Sequence, residues 1–231
     1  MRKIIEFAVK VFFDKKNFVL PKEIPNSYLL KLSITHLLGI IRGFIKKRGM
    51  NGKKKYLYVG KKTVINGRSK IKIGNNTRFG DHCEIDSISK NGIRLGDRVK
   101  IGSYSHLLCS GSLTDLGKGI VIGSDSSFSE YTFFGAAGGI TIGDNVISGQ
   151  YVRFHSENHN FDNKYELIRL QGVNRKGITV GSNVWIGSGV VFLDGSIVGD
   201  GCVIAANSVI KGEFPPYSVI AGSPGVVKKI R

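Results

Sequence analysis

Acidic residues are scarce in this chain: seventeen Asp and Glu stand against thirty-four Lys and Arg, a formal net charge of +17. An excess of that size spread over the whole surface would point to nucleic acid. The distribution is uneven, however. Residues 1–62 carry sixteen basic side chains against three acidic ones, and residues 63–231 carry eighteen against fourteen. With no recognised binding module and no regular basic-aromatic platform, the charge belongs to an N-terminal appendage and counts against a nucleic-acid partner. Cysteine is scarce too. Cys83, Cys109 and Cys202 are odd in number, widely separated and without paired metal-ligand spacing, so they read as small core residues in a reducing compartment. Long uninterrupted apolar runs are missing as well, because Lys31, His36 and Arg42 break the most apolar stretch, which leaves it short of a membrane-spanning assignment.

Glycine, by contrast, is plentiful: 31 residues, about double the usual share, without the every-third spacing of collagen. Gly74, Gly96, Gly123, Gly143 and Gly181 make neither a Walker nor a Rossmann loop. Their spacing belongs to a short repeat. In residues 178–210, Val180, Ile186, Phe192, Val198, Ile204 and Ile210 fall six apart. A period of six suits neither a helix nor a long strand; it suits very short strands joined by tight corners, stacked coil on coil. The apolar residue opening each unit, and the small or β-branched one four later (Val184, Val190, Ser196, Cys202, Ser208), are predicted to point inward. Earlier units open at Ile73, Phe79, Ile85, Leu95, Ile101, Leu107, Leu113, Ile122, Phe128, Phe134, Ile142, Ser148 and Phe154, with phase resets between them.

Three regions follow: a basic, partly helical extension over 1–57, the repeat over 58–214, and a C-terminal cap and tail over 215–231. Residues 1–17 have amphipathic spacing through Ile4, Ile5, Ala8, Val9, Phe12 and Phe13, without the uninterrupted apolar core of a secretory signal. Pro21 and Pro25 break that helix, and Asn26 or Ser27 caps a second one through Lys47. Its Leu and Ile content predicts burial against the β domain or a partner, or a seat in a membrane interface aided by Lys46–Arg48. Residues 49–55 read as a flexible basic connector, and Pro215-Pro216 as the end of strand pairing. The expected location is cytoplasmic, at the membrane surface, with peripheral association through residues 1–50.

Between Phe154 and Ile178 the repeat vanishes. Residues 155–177 are polar, charged and longer than a corner needs, and a loop of that size in an economical repeat is a functional candidate. The loop holds His155 and His159, two of five histidines, and Glu157. The two histidines lack further ligands, so no catalytic metal is expected.

VGSNVWIGSGVVFLDG, VIAANSV, FPPYSVIAGSP and VVKKI, all within residues 178–230, resemble the end of the maltose, galactoside and virginiamycin-type acetyltransferases. These are hexapeptide-repeat acyltransferases, a superfamily that also acetylates capsular polysaccharide, and the likeness extends over about residues 71–230. It implies an all-β fold, a left-handed parallel β-helix with an extended loop, and a homotrimer with active sites in the grooves between subunits. The left hand comes from the resemblance alone, since parallel crossovers are otherwise right-handed.

The implied activity is acetyl-CoA-dependent O-acetylation of a saccharide hydroxyl by direct attack. N-acetylation of an amino sugar or nucleotide-linked sugar is the enzymatic alternative, and a non-catalytic β-helical assembly or binding protein the other. Matched to the family, His159 is the general base, although Asn160 stands where those enzymes have Pro. His155 is its rival, and Glu157 orients an imidazole. The amide of Ser188 meets the thioester carbonyl and Trp185 packs beside the groove. Ala205, Ala206, Gly222, Ser223 and Pro224 line the CoA seam, and Lys211, Lys228, Lys229 and Arg231 face its phosphates. For the acceptor, Tyr131 with Phe133 and Phe134 offers stacking surfaces, and Arg153, Tyr165 and Arg169 suit an anionic glycan.

Overall fold

The structure, a computed structural model, describes residues 2–3, 5–6, 17–52 and 56–231. Most of the amphipathic stretch expected over residues 1–17 lies outside them. The repeat folds as its period requires. Consecutive strands Ile178–Val180, Trp185–Ile186 and Val191–Leu193 fall in three different sheets, and each pairs in parallel with the strand one coil away. Three sheets of eight, nine and seven strands thus form the walls of a three-sided prism, a left-handed parallel β-helix.

The predicted inward residues fill its interior: from Val180 to Ile210, both the unit-opening residues and those four later are at most 1% exposed. Buried hydroxyls among them are satisfied, as where Ser196 Oγ donates to the Ile210 carbonyl at 2.8 Å. Phe134, Phe154 and Phe192 stack along the axis with ring centroids 5.0 and 4.6 Å apart. Phe134 is fully buried and therefore offers no sugar-stacking surface.

Leu113 does not continue the repeat. It is 80% exposed, in an excursion between His106–Leu108 and Ile120–Ile122. Pairing also begins earlier and ends later than the composition indicated. Within the expected connector, Asn51–Gly52 pairs with Lys72 and Ile73, and Met50 is buried. Pro215 and Pro216 occupy a corner, where a missing N–H costs no ladder bond, and Ser218–Ala221 resumes parallel pairing with Val203–Ile204. Val226–Ile230 then runs antiparallel to Ser218–Ala221 and covers the outer edge of the nine-stranded sheet.

The helix Asn26–Lys46, here α1, starts behind Pro25 without a side-chain cap, so neither Asn26 nor Ser27 serves as one. It docks on Leu57–Val59, in the first coil of the prism. A Cβ on Gly39 would lie 2.1 Å from the Tyr58 ring, and one on Gly43 would lie 1.8 Å from the Leu57 carbonyl oxygen. Only glycine permits so close an approach. Arg42 Nε donates to the Val59 carbonyl at 2.8 Å, and His36 stacks on Tyr58. By length and composition α1 does reach the threshold for crossing a membrane, with a mean hydropathy of 1.4, contrary to the reading that its charges leave it short.

Candidate active site

The loop over 155–177 is pinned at both ends. Ser156, fully buried, donates from Oγ to the Gly135 carbonyl at 2.8 Å and accepts the Gly138 amide at 3.0 Å. At the exit, the buried Asp194 carboxylate accepts the amides of Lys176 and Gly177, the latter at 2.7 Å. Between these anchors Asn158–His159 pairs antiparallel with Val173–Asn174, so His159 stands opposite Val173 on a short hairpin and is exposed. Asn160, where the resembled enzymes have Pro, holds that hairpin: its Nδ2 donates to the Gln171 carbonyl at 3.0 Å, and its Oδ1 accepts from Asn174 Nδ2 at 3.1 Å. Hydrogen bonds here restrain a turn that a pyrrolidine ring would restrain covalently.

Glu157 orients neither histidine. Its carboxylate accepts Arg175 Nε at 2.5 Å, and Arg175 reaches Asp115 at 2.8 Å, tying the loop to the excursion that carries Leu113. His155 ends the strand Arg153–His155, tilted against Phe133 at 5.3 Å, and burial first, then the charge of Arg153, lowers its pKa. The three cysteine thiols are buried with raised pKa values, Cys109 to about 12, chiefly through desolvation, which removes the thiolate a nucleophile needs.

A second cluster lies across the seven-stranded sheet. The corner between Trp185–Ile186 and Val191–Leu193 holds Ser188 and Gly189, and it stacks on equivalent corners above and below. Gly189 N donates to the Gln150 carbonyl at 2.8 Å, Asn207 N to the Ser188 carbonyl at 2.9 Å, and Val209 N to the Gly222 carbonyl at 3.0 Å. Ser188, Ala205, Ala206, Gly222, Ser223 and Pro224 therefore share one edge of the prism. Trp185 is 56% exposed on the adjoining nine-stranded wall, and Lys228 and Lys229 lie on the terminal strand that extends that wall. Lys211 follows Val209–Ile210 and turns the opposite corner, away from the seam.

Below Ser188 this edge carries a feature that single-residue inspection of the sequence missed. His82, Tyr104, Tyr131 and Tyr151 occupy the same corner position in successive coils, all with positive φ, and their rings stack 4.8, 5.1 and 4.8 Å apart, within 10° of parallel. The left-handed backbone costs an L-residue roughly 1–2 kcal/mol, so three tyrosines there are maintained against intrinsic preference. Aligning coils by corner, Gly-Asp-His, Gly-Ser-Tyr, Ser-Glu-Tyr and Gly-Gln-Tyr, exposes the column in the sequence.

The column stops at Gly189, which takes the next corner position with φ +72° and no ring. That missing rung opens a cleft lined by Tyr131, Tyr151, Arg153, Ser188, Gly189 and Asn207. Arg153 and Tyr131 thus meet Ser188, whereas Tyr165 and Arg169 lie exposed in the 155–177 loop on the other edge. A broader concavity along the eight-stranded sheet holds none of the predicted site residues. Among the described residues no group of three His, Cys, Asp or Glu side chains could hold a metal ion.

Two family models match the chain: "Bacterial transferase hexapeptide (six repeats)" over residues 177–212 and "Hexapeptide repeat of succinyl-transferase" over residues 70–103. A protein of Mycobacterium tuberculosis named "Probable acetyltransferase" is 29% identical over 139 residues, 60% of this chain and 44% of the relative. The chain thus spans less than half of that relative's length. An Escherichia coli K12 protein, "Putative lipopolysaccharide biosynthesis O-acetyl transferase", is 29% identical over 71% of this chain and 74% of its own length. Among solved structures, an N-acyltransferase from Bacillus cereus in complex with dTDP and 3-hydroxybutyryl-CoA shares the fold. Its TM-score is 0.51 at 23% identity, covering 82% of this chain and 88% of that one.

Proposed function

The chain belongs to the hexapeptide-repeat acyltransferase superfamily, and from that premise we propose that it transfers acetyl from acetyl-CoA to a saccharide hydroxyl in surface-polysaccharide metabolism. The observation that carries this reading is the alignment of Ser188, Ala206 and Ser223 along one edge, next to a cleft lined by Tyr131, Tyr151 and Arg153. An extended, amide-rich pantetheine suits the narrow seam, whose Ala205 and Ala206 add little bulk. A sugar ring suits the upper face of Tyr151, left bare by Gly189, with Arg153 beside it for an anionic substituent.

In this reading His159 accepts the proton of the acceptor hydroxyl, whose oxygen forms a bond to the thioester carbonyl carbon. The Ser188 amide donates to the oxygen on which negative charge develops. Collapse breaks the carbon–sulfur bond, and the proton held by His159 passes to the departing CoA thiolate. His159 and Ser188 sit on opposite edges of the seven-stranded sheet of one chain. In this reading a homotrimer brings the base of one copy to the seam of its neighbour.

Acetyl-CoA consumption with a panel of sugars, oligosaccharides and sugar nucleotides tests the reading, with His159→Ala and His155→Ala run beside the wild type. Loss with His159→Ala and retention with His155→Ala are expected. The opposite pattern moves the base to His155; turnover only with amino sugars makes the reaction N-acetylation; and absence of CoA binding leaves a structural role.

A further inference from the structure

Opposite the face that docks on the prism, α1 carries an uncovered apolar stripe. Leu30, Ile34, Leu37, Ile41, Phe44 and Ile45 are each 47–60% exposed. Their spacing follows one side of a 3.6-residue helix, and the docked Gly39 and Gly43 fall on the other side. No described element covers the stripe, and apolar surface of that length and continuity is a contact surface.

Charge decides what the stripe contacts. Between Glu23 and Asp81 the sequence holds fourteen Lys and Arg and no acidic residue. Lys31 lies on α1 and Arg48 just beyond its end, both exposed, and Lys46 and Lys47 are partly exposed at the helix terminus. Two copies meeting stripe to stripe would bring these cations together, at a repulsive cost. An anionic bilayer satisfies both features at once, taking apolar side chains at the acyl boundary and cations among its headgroups.

We propose that α1 lies in the plane of an anionic membrane surface, its apolar stripe inserted and the prism carried on its other face. Crossing the bilayer is a different state. It would strip the helix from Leu57–Val59, breaking the Arg42–Val59 hydrogen bond and the contacts for which Gly39 and Gly43 are required. The helix that is long enough to span is instead bolted to a β-sheet wall that cannot follow it into hydrocarbon.

The test is flotation of the full chain with vesicles of phosphatidylcholine containing phosphatidylglycerol, and with vesicles of phosphatidylcholine alone. Binding to the anionic vesicles, weakened by salt and released by alkaline carbonate, is expected. Ile41→Asp should lower partitioning roughly tenfold, since it replaces a side chain that inserts into the bilayer by a charge. Lys46→Gln with Lys47→Gln should lower it by about fivefold per lysine without touching the packed face, which covers the case in which Ile41→Asp fails to fold. Equal binding to both vesicle types, no binding to either, or resistance to carbonate overturns the proposal. So does intact vesicle binding by Ile41→Asp together with a changed lipid-free sedimentation coefficient, which would assign the stripe to a second copy.

Discussion

Along one edge of the seven-stranded sheet every coil turns in four residues, from Val59 to Val64 through Ile204 to Val209; along the other, the connections run from two residues to twenty-two. Constant length keeps equivalent side chains in register, which is how His82, Tyr104, Tyr131 and Tyr151 form a column and how the absence of a ring at Gly189 becomes a slot. Variable length cannot build ladders. It builds a loop that projects a side chain clear of the wall, and here that side chain is His159. In the proposed reaction, register supplies shape for holding reactants, and excursion supplies reach for acting on them.

The sharpest way to break this division is to inactivate each edge separately. His159→Ala should lower turnover by about 10²–10⁴-fold, the usual worth of a positioned base, with little change in CoA affinity. Gly189→Tyr should fill the slot and abolish acceptor turnover while His159 is untouched. If neighbouring copies complete each site, mixing the two variants under subunit exchange restores activity that neither shows alone. Continued silence of the mixture would put both groups within one chain and remove the assignment of the edges to different subunits.

A smaller effect is expected at the open face of the column. Tyr151→Ala should raise the acceptor KM about three- to tenfold, in line with the roughly 0.5–1.5 kcal/mol of an aromatic contact, and leave the acetyl-CoA KM unchanged. Tyr151→Phe keeps the ring and should behave as wild type. An equal rise in both KM values would mean that the column supports the seam, not the acceptor.

How much of this was legible in the sequence differs between the edges for the same reason. Period six located the wall, the inward residues and, by its failure, the 155–177 loop. It did not separate a true unit from Leu113, because a leucine at the right spacing has the same local signature whether it enters the prism or an exposed excursion. Nor did Pro215-Pro216 reveal itself as a corner, since the missing N–H matters only relative to the ladder beside it. Glu157 lies two residues from each histidine, and that spacing alone suggests an imidazole partner. Its true partner, Arg175, is eighteen residues away and is brought close only by the hairpin. The column was unreadable residue by residue because its members are separated by twenty or more positions and meet only when coils are stacked.

The Glu157–Arg175–Asp115 link gives a further, milder test of the excursion edge. Glu157→Gln removes the charge of a partly buried pair whose worth after solvent screening is about 1 kcal/mol. Faster amide exchange confined to residues near 157–175 is expected, with the prism unchanged. Uniform loosening of the whole chain would mean that the loop is part of the stability of the wall.

The smallest effect concerns His155 and separates it from catalysis through pH. Burial first, and then Arg153, lowers its pKa from the ordinary 6.5, so the unfolded chain takes up the proton at a higher pH than the folded one. Its contribution to stability is therefore complete above 6.5 and declines as pH falls through that value toward the lower folded one. Thermal midpoints measured on either side of 6.5 should show an acid-side loss that His155→Gln diminishes, because Gln carries no titrating group into the contact with Phe133. Turnover in His155→Gln should keep the wild-type pH profile if His159 is the base, as proposed. A profile displaced by this substitution would make His155 part of the reaction, and the strand end, not the hairpin, would then be where the excursion edge does its chemistry.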